Sequence, residues 1–173
     1  MPCALVTGGC GFIGSNFLNI MKEKHPEINF VNIDKLDYCS NVHNVNSNVA
    51  TFIQHDLCNV GILESIVKKY RFDYVFHFAA QSHVDNSFTS PLAFTLDNTY
   101  GTHVLIEVCR KHIPNVQFLH FSTDEVYGES KTDEPFTEEH AVLKPTNPYS
   151  ASKAAAEMIV CSYKESFDMK VKI

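Results

Sequence analysis

Residues 7–14 read Thr-Gly-Gly-Cys-Gly-Phe-Ile-Gly and lie between a predicted first strand at residues 5–6 and a predicted helix. The glycines at Gly8, Gly11 and Gly14 permit a tight turn and let the backbone approach a pyrophosphate closely. The helix that follows presents unpaired N–H groups and the positive end of its dipole to such an anion. The stretch therefore predicts a phosphate-binding turn at the start of an α/β unit.

An acidic residue follows this turn at the spacing expected for a dinucleotide site. Asp34 lies 20 residues after Gly14, at the end of a predicted second strand over residues 28–33. Its carboxylate can accept a hydrogen bond from a ribose 2′-hydroxyl and would repel a 2′-phosphate, which favours NAD over NADP, although the adjacent Lys35 weakens this preference. The pattern predicts an NAD-binding Rossmann fold. The alternative is a glycine-rich turn that binds no ligand.

The rest of the chain alternates apolar runs with helical patterns. Predicted strands cover residues 5–6, 28–33, 50–54, 74–78, 116–121 and 171–173, and predicted helices cover residues 14–25, 60–70, 91–111 and 148–167. Strands that alternate with helices pair in parallel through right-handed crossovers. We therefore expect an α/β fold with a Rossmann-like parallel sheet, helices on both faces, and a truncation in the sixth strand. Residues 128–145 are polar and bounded by proline, which predicts a surface loop.

Composition excludes several kinds of partner. The chain has 173 residues and a formal net charge of −6, which disfavours binding to nucleic acid or to an anionic membrane. It contains no run of about 20 apolar residues, the length that a membrane-spanning helix needs. The 6 cysteines form no CxxC pair and no zinc-binding pattern. We therefore expect a cytoplasmic protein with reduced thiols and no metal site.

Two further stretches fit the predicted cofactor cleft. Asp56 follows the third predicted strand, where its carboxylate either reaches the adenine amino group or caps the next helix. Ala79 and Ala80 end the fourth predicted strand, where small side chains let a cofactor lie close to the backbone.

Candidate catalytic residues cluster in the last third of the chain. Tyr149 and Lys153 are four residues apart in a predicted helix and share one face. A lysine ammonium beside a phenol lowers the phenol pKa, so that the tyrosine can accept a proton from a sugar hydroxyl. Asp124 and Glu125 follow the fifth predicted strand, where one carboxyl can serve as acid and the other as base. The alternative for this pair is a solvated acidic turn.

The motifs resemble those of the nucleotide-sugar 4,6-dehydratases, within the extended short-chain dehydrogenase/reductase superfamily. The matching segments are residues 7–14, 34–38, 78–85, 122–128 and 149–153, in the order of the family. Related epimerases and decarboxylases share the cofactor motif and the Tyr-x-x-x-Lys pair, but they usually lack the Asp-Glu pair. This pair makes the resemblance specific to the dehydratases.

The resemblance implies a role for each catalytic candidate. Tyr149 would deprotonate the hydroxyl at sugar carbon 4, Lys153 would hold Tyr149 and the nicotinamide ribose, and Thr123 would bind the same sugar oxygen. Glu125 would remove the hydrogen at carbon 5, and Asp124 would protonate the hydroxyl that leaves carbon 6. Ser82 and Thr123 would contact the substrate. The cofactor-binding residues would be Gly8, Gly11, Phe12, Ile13, Gly14, Asp34, Lys35, Leu36, Asp37, Asp56, Leu57, Phe78, Ala79, Ala80, Ser82, Tyr149 and Lys153.

The resemblance also implies the reaction and the assembly. It predicts NAD-dependent dehydration of dTDP-glucose or UDP-glucose to the 4-keto-6-deoxy sugar nucleotide by a homodimer. The alternatives are a sugar-nucleotide epimerase or decarboxylase, or a non-catalytic NAD-binding fragment. Residues 1–173 would form the NAD-binding Rossmann domain, and because the family's C-terminal substrate domain is absent from this chain, we expect this polypeptide alone to be inactive. The family often has Glu at Gln81 and Thr at Asp97, so both positions could alter the affinity for the cofactor.

Overall fold

Six parallel strands form one sheet in a computed structural model that describes residues 1–130, 135–138 and 142–173. The strands are β1 (Cys3–Thr7), β2 (Asn29–Asp34), β3 (Thr51–Gln54), β4 (Tyr74–His77), β5 (Gln117–His120) and β6 (Lys170–Lys172). Their order is β3-β2-β1-β4-β5-β6. The strand order reverses between β1 and β4, and a crevice forms at the carboxyl ends of the strands at such a point. The predicted α/β fold is confirmed.

The helices alternate with these strands. They are α1 (Phe12–Lys24), α2 (Val60–Tyr70), α3 (Val84–Thr89), α4 (Pro91–Phe94), α5 (Gly101–His112) and α6 (Pro148–Phe167). Short 3₁₀ turns cover Val42–Asn44 and Asp124–Tyr127. The bounds of α2 and α6 match the prediction, whereas α3 and the 3₁₀ turns were not predicted. Within the predicted loop at 128–145, residues 131–134 and 139–141 lie outside the described residues.

The predicted helix over residues 91–111 is interrupted by a wider π-helical segment, Thr95–Tyr100. In this segment the backbone N–H of Gly101 bonds to the carbonyl of Leu96, five residues earlier. Such a turn holds one residue more than an α-helical turn and often occurs at functional sites. Here it places Asp97 in the lining of the cleft, while Asn98 is 1% exposed and packs beneath it.

Apolar side chains alternate between the two faces of the central strand. Leu5 belongs to the larger core, which includes Leu63 of α2, Leu105 of α5 and Val160 of α6. Val6 belongs to a smaller core on the opposite face. Ala4, Leu18 of α1 and Phe30 of β2 are the other buried residues of that second core. The helices therefore cover both faces, as predicted. Among the described residues, no helix combines the length and the apolar character that crossing a membrane requires.

Candidate functional site

A cleft of about 350 Å³ opens at the carboxyl ends of the strands. Of the predicted cofactor residues, its lining includes Gly8, Gly11, Phe12, Ile13, Gly14, Asp34, Lys35, Asp37, Asp56, Leu57, Phe78, Ala79, Ala80, Ser82, Tyr149 and Lys153. The cleft is also lined by residues that were not predicted to bind the cofactor, namely Ile33, Cys39, Ser40, His55, Cys58, Gln81, Asp97, Gly101, Phe121 and Ser122. Its volume falls within the range of about 300–1,000 Å³ that is usual for small-molecule sites.

The three glycines of the first turn have three different reasons to lack a side chain. Gly8 has a φ of +71°, and a Cβ there would lie 2.6 Å from the backbone nitrogen of Ala79. A Cβ at Gly14 would collide with the carbonyl of Gly8 and lie 2.8 Å from the Cα of Gly9. A Cβ at Gly11 would meet no protein atom closer than 3.4 Å and would instead occupy the cleft. Gly11 therefore keeps open a cradle that suits a closely bound ligand.

The N-terminus of α1 faces this cradle without a cap of its own. No side chain of the described residues bonds to its free N–H groups, and its first turn holds no acidic residue. Unpaired N–H groups at a helix N-terminus bind anions well, with support from the helix dipole. The residues present thus fit the pyrophosphate of a dinucleotide.

Asp34 braces the glycine turn from the end of β2. One of its carboxylate oxygens accepts a hydrogen bond from the backbone N–H of Cys10 at 2.9 Å, and the other accepts one from that of Leu36 at 2.9 Å. The side chain is largely enclosed, since only 5% of the residue is exposed. Its contact with a ribose hydroxyl stays a prediction. Leu36 is the one predicted cofactor residue that the cleft lining does not include.

Four polar side chains meet across the cleft beside Asp34. The ammonium of Lys35 lies 2.5 Å from the Oδ2 of Asp97 and 3.1 Å from the Oδ2 of Asp37. The amide of Gln81 donates to the same two oxygens, at 2.8 and 2.6 Å respectively. Burial alone would lower the pKa of Lys35, but the hydrogen bonds and charges of the two carboxylates outweigh it and the net shift is upward. We call Lys35, Asp37, Gln81 and Asp97 the cleft network.

Asp56 occupies the predicted position after β3 but does not cap α2. Its Oδ1 accepts a hydrogen bond from the backbone N–H of Cys58 at 2.9 Å, which is an Asx turn. The cap position of α2 belongs to Asn59. The alternative interpretation of Asp56 as a helix cap is therefore wrong, and its carboxylate lines the cleft.

Potential metal-ligand atoms of Asp56, Cys58 and Asp97 lie within 4.8 Å of one another. Burial and the nearby carboxylates raise the pKa of the Cys58 thiol to about 12. A metal that bound to this trio would have to displace the thiol proton of Cys58.

Lys153 and Tyr149 lie on the first turns of α6, at the opposite end of the cleft. Lys153 is 5% exposed, and its ammonium donates to the carbonyl of Phe121 at 2.5 Å. Burial lowers the pKa of Lys153 to about 8, and the charge of Glu157 opposes this shift.

The pKa of Tyr149 is raised rather than lowered, so the expectation based on Lys153 is wrong for this structure. Burial is the main cause, the charges of Glu125 and Asp124 act in the same direction, and Thr123 opposes them. The lysine ammonium is directed at a backbone carbonyl, which leaves the carboxylates as the charges that the phenol experiences.

Thr123, Asp124 and Glu125 follow β5 and are not among the residues that line the cleft. Thr123 accepts a bond from the backbone N–H of Glu125 at 3.4 Å and donates to Asp124 at 3.3 Å. The side chain of Thr123 hydrogen-bonds to the phenol of Tyr149, and the carboxylates of Asp124 and Glu125 are near enough to raise the pKa of that phenol. The structure thus brings the five predicted catalytic residues together at one end of the cleft.

Asn147 connects this acidic pair to α6, and no pattern in the sequence predicted a site role for it. Its side-chain oxygen accepts a hydrogen bond from the backbone N–H of Ser150 at 2.8 Å, which caps the helix. Its side-chain nitrogen donates to the Oε2 of Glu125 at 2.9 Å. Because the helix cap fixes the orientation of the amide, the N–H group must face Glu125. The only sequence signal for Asn147 was its position at the predicted start of the helix at residues 147–148.

Two other polar residues support the site and were also not predicted. Glu157 accepts a hydrogen bond from the hydroxyl of Ser122 at 2.5 Å. Asn98 accepts from the backbone N–H of Gln81 at 2.7 Å and donates to the hydroxyl of Ser152 at 2.9 Å. Glu157 lies four residues after Lys153 on the predicted helix, and this spacing was its signal. For Asn98 the sequence holds no comparable signal.

The family model described as GDP-mannose 4,6 dehydratase matches residues 5–173. The chain is 43% identical over 172 residues to a trifunctional UDP-glucose 4,6-dehydratase/UDP-4-keto-6-deoxy-D-glucose 3,5-epimerase/UDP-4-keto-L-rhamnose-reductase of Arabidopsis thaliana, covering 96% of this chain and 26% of that protein. It is 44% identical over 174 residues to human dTDP-D-glucose 4,6-dehydratase, covering 98% of this chain and 49% of the human protein. The chain therefore spans half or less of the length of these curated relatives.

Solved structures agree with the sequence matches. The dTDP-glucose 4,6-dehydratase of Bacillus anthracis in complex with NAD has a TM-score of 0.88 and 35% identity, covering 99% of this chain and 53% of that chain. The UDP-glucose 4-epimerase of Thermus thermophilus in complex with NAD has a TM-score of 0.89 and 30% identity, covering 98% of this chain and 53% of that chain. The resemblance that the motifs indicated is confirmed.

Proposed function

This chain belongs to the GDP-mannose 4,6-dehydratase family. We propose that the protein containing it removes water from a nucleoside-diphosphate glucose to give the 4-keto-6-deoxy sugar nucleotide, with NAD as cofactor. One observation carries the proposal: Asp124 and Glu125 lie beside Tyr149 at the end of a cleft whose other end is a dinucleotide-binding turn. The substrate is dTDP-glucose or UDP-glucose, the two nucleotide sugars named for the relatives.

NAD, when bound, supplies the hydride acceptor and donor for the sugar. Gly11 and the free N–H groups of α1 would hold its pyrophosphate, and the other predicted cofactor residues that line the cleft would contact the rest of it. Lys153 would hold its nicotinamide ribose. The presence of this cofactor in the Bacillus anthracis relative supports the assignment.

Tyr149 is the group that would move the proton of the carbon-4 hydroxyl. The residue is only 9% exposed, and its phenol bonds to Thr123, whose hydroxyl would bind the same sugar oxygen. Burial raises the pKa of Tyr149, so a cation that approaches this phenol would be needed to lower the pKa towards neutrality. When NAD is bound, its oxidised nicotinamide ring would supply such a charge.

Asp124 and Glu125 would perform the elimination. Glu125 accepts a hydrogen bond from the side-chain amide of Asn147 at 2.9 Å, which holds its carboxylate in place as the base that would remove the hydrogen at carbon 5. Asp124 is more exposed than Glu125 and accepts a hydrogen bond from Thr123 at 3.3 Å, and as the acid of the pair it would protonate the hydroxyl that leaves carbon 6. Asn147 is a positioning residue in this scheme. Ser82 would contact the sugar from the opposite wall.

The homodimer and the cytoplasmic location belong to the same proposal. Leu92, Leu96 and Tyr100 are 83%, 51% and 46% exposed and recur every four residues, and Met158 of α6 is 64% exposed. An apolar stripe of this kind on two neighbouring helices suits a helix-to-helix interface. All 6 cysteines are free thiols, as expected in a reducing compartment. Sedimentation analysis of the protein tests the dimer, and fractionation of cells tests the location.

A sugar-nucleotide 4-epimerase is the second candidate, because the Thermus thermophilus epimerase has the same fold and an NAD complex. The test incubates the product of the complete reading frame with NAD and either dTDP-glucose or UDP-glucose and follows the sugar nucleotide by mass spectrometry. Loss of one water supports the dehydratase. A product of unchanged mass with an inverted carbon 4 supports the epimerase.

Two matched variants assign the elimination. Glu125→Gln should abolish the loss of water, whereas Glu129→Gln, the same substitution at an exposed position, should not change it. If Glu125→Gln retains the wild-type rate of water loss, the role of Glu125 is wrong.

A further inference from the structure

The cleft network joins three segments of the chain around one cation. Lys35 follows β2, Gln81 follows β4, and Asp97 belongs to the π-helical segment. The ammonium of Lys35 contacts one oxygen of Asp97 and one of Asp37, and the amide of Gln81 donates to those same two oxygens. The two carboxylates are therefore held together on the lysine.

This arrangement leaves the ribose end of the cleft without a free cation. Lys35 and Lys153 are the only lysines or arginines among the described residues that line the cleft, and Lys153 donates to Phe121 at the far end. Asp34 accepts its hydrogen bonds from the backbone. The lysine next to Asp34 is thus the one group placed to receive a phosphate on the adenosine ribose, and two carboxylates occupy it.

We infer that Asp97 and Asp37 determine cofactor specificity: by occupying Lys35 they withhold it from a 2′-phosphate, and this excludes NADP. The inference rests on the proposed use of a dinucleotide cofactor. Asp97 is the stronger determinant, because it is closer to the ammonium and its side chain is 13% exposed, against 37% for Asp37. Asp34 adds its own charge to theirs and also braces the glycine turn.

The charges at this end of the cleft support the same conclusion. Asp34, Asp37, Asp56 and Asp97 all line it, against the single positive charge of Lys35. A 2′-phosphate carries up to two negative charges and would face this excess of carboxylates without a cationic partner. A ribose 2′-hydroxyl is neutral and pays no such cost.

The test measures the dissociation constants of NAD and NADP by calorimetry for the wild-type protein and three variants. Asp97→Asn removes the charge and preserves the shape, so the preference for NAD over NADP should fall about tenfold as Lys35 becomes available to the phosphate. Asp56→Asn is the matched control, since it removes the same charge from the cleft without touching Lys35. The double variant Lys35→Met with Asp97→Asn asks whether the gain depends on the lysine.

The expected result is a gain in relative NADP affinity with Asp97→Asn, a smaller gain with Asp56→Asn, and loss of the Asp97→Asn gain in the double variant. An unchanged ratio with Asp97→Asn overturns the inference, and so does an equal gain in the single and double variants, which would reflect general charge alone. If the wild-type protein binds neither NAD nor NADP, the proposed cofactor fails and the inference fails with it. If it binds NAD and the ratios do not move, only the inference fails.

Discussion

The two ends of the cleft are built in different ways. At the glycine turn, backbone N–H groups anchor the chain: the N–H of Gly8 donates to the carbonyl of Ile33 at 2.9 Å, and the N–H of Cys10 donates to the carboxylate of Asp34 at 2.9 Å. At the catalytic end, side chains hold side chains, as in the contacts of Asn147 with Glu125 and of Ser122 with Glu157. The comparison teaches that the glycine turn is anchored through its backbone, whereas the catalytic end depends on a few contacts between side chains that single substitutions can remove.

The largest effect is expected at the glycine turn, where two positions separate folding from binding. Gly14→Ala forces a Cβ against the carbonyl of Gly8 and the Cα of Gly9, so we expect a loss of about 3 kcal/mol of unfolding free energy together with loss of NAD binding. Gly11→Ala meets no protein atom closer than 3.4 Å, so the fold should persist while the affinity for NAD falls. Urea unfolding and calorimetric binding measure the two properties.

Gly61→Ala provides the control for this pair. Gly61 lies in α2, and a Cβ there has no neighbour within 4 Å. Alanine should therefore stabilise the helix by about 0.5–1 kcal/mol and leave binding unchanged. Equal destabilisation by Gly11→Ala and Gly14→Ala would contradict the division between a packing glycine and a binding glycine.

The next effect concerns two histidines beneath the cleft that sharpen the same contrast. His77 bonds to the hydroxyls of Thr7 and Thr102, at 2.7 and 2.8 Å, whereas neither ring nitrogen of His120 has a partner among the described residues. Burial lowers the pKa of His77 to about 3 and that of His120 to about 2, from an ordinary value of 6.5. Below pH 6.5 the histidines of the unfolded chain bind protons that those of the folded chain do not. The free energy of unfolding therefore decreases as the pH is lowered. Each histidine should cost about 1.4 kcal/mol at pH 5.5 relative to pH 8.

Urea unfolding between pH 5 and pH 8 checks this expectation. His120→Leu removes one proton from the pH dependence and breaks no hydrogen bond among the described residues, so its stability at pH 8 should equal or exceed that of the wild type. His77→Leu should flatten the curve equally but lower the stability at pH 8, because Thr7 and Thr102 lose a partner. Unaltered pH dependence in both variants would show that the two histidines do not cause the loss of stability at acid pH.

The smallest effect on stability is expected at Asn147, where the cap and the contact with Glu125 can be separated. Asn147→Ser keeps an efficient cap for α6 but loses the amide that donates to Glu125, so the unfolding free energy should stay within about 0.5 kcal/mol of the wild type. We expect the kcat for water loss to fall about tenfold with little change in KM, since a misplaced base acts only in the chemical step.

Asn147→Ala serves as the comparison, because it should lose about 1 kcal/mol of stability as well as the rate. Urea unfolding and steady-state kinetics of the same preparations give both values. Wild-type kcat in Asn147→Ser would mean that the amide has no positioning role.

Sequence reasoning reached the cofactor end more fully than the catalytic end, for a physical reason. The glycine turn, α2 and the start of α6 depend on neighbouring residues, so local patterns predicted them. The contacts of the cleft network and of the catalytic end join distant residues: Lys35 and Asp97 are 62 positions apart, Ser122 and Glu157 are 35 apart, and Asn147 and Glu125 are 22 apart. The direction of the Tyr149 pKa shift was wrong because it depends on burial and on where the Lys153 ammonium points. Neither quantity can be read from a spacing of four residues.

The π-helical segment Thr95–Tyr100 makes the contacts of the site depend on the number of residues in one helical turn. An α-helix turns about 100° per residue, so one additional residue in a turn rotates the faces of α4 and α5 relative to each other. Deletion of one residue here would preserve the composition of the cleft and yet rotate one side of the helix away from its partners. Asn98 would then part from Gln81 or from Ser152. We therefore expect relatives of this chain to keep the same number of residues in this segment as strictly as they keep any side chain within it.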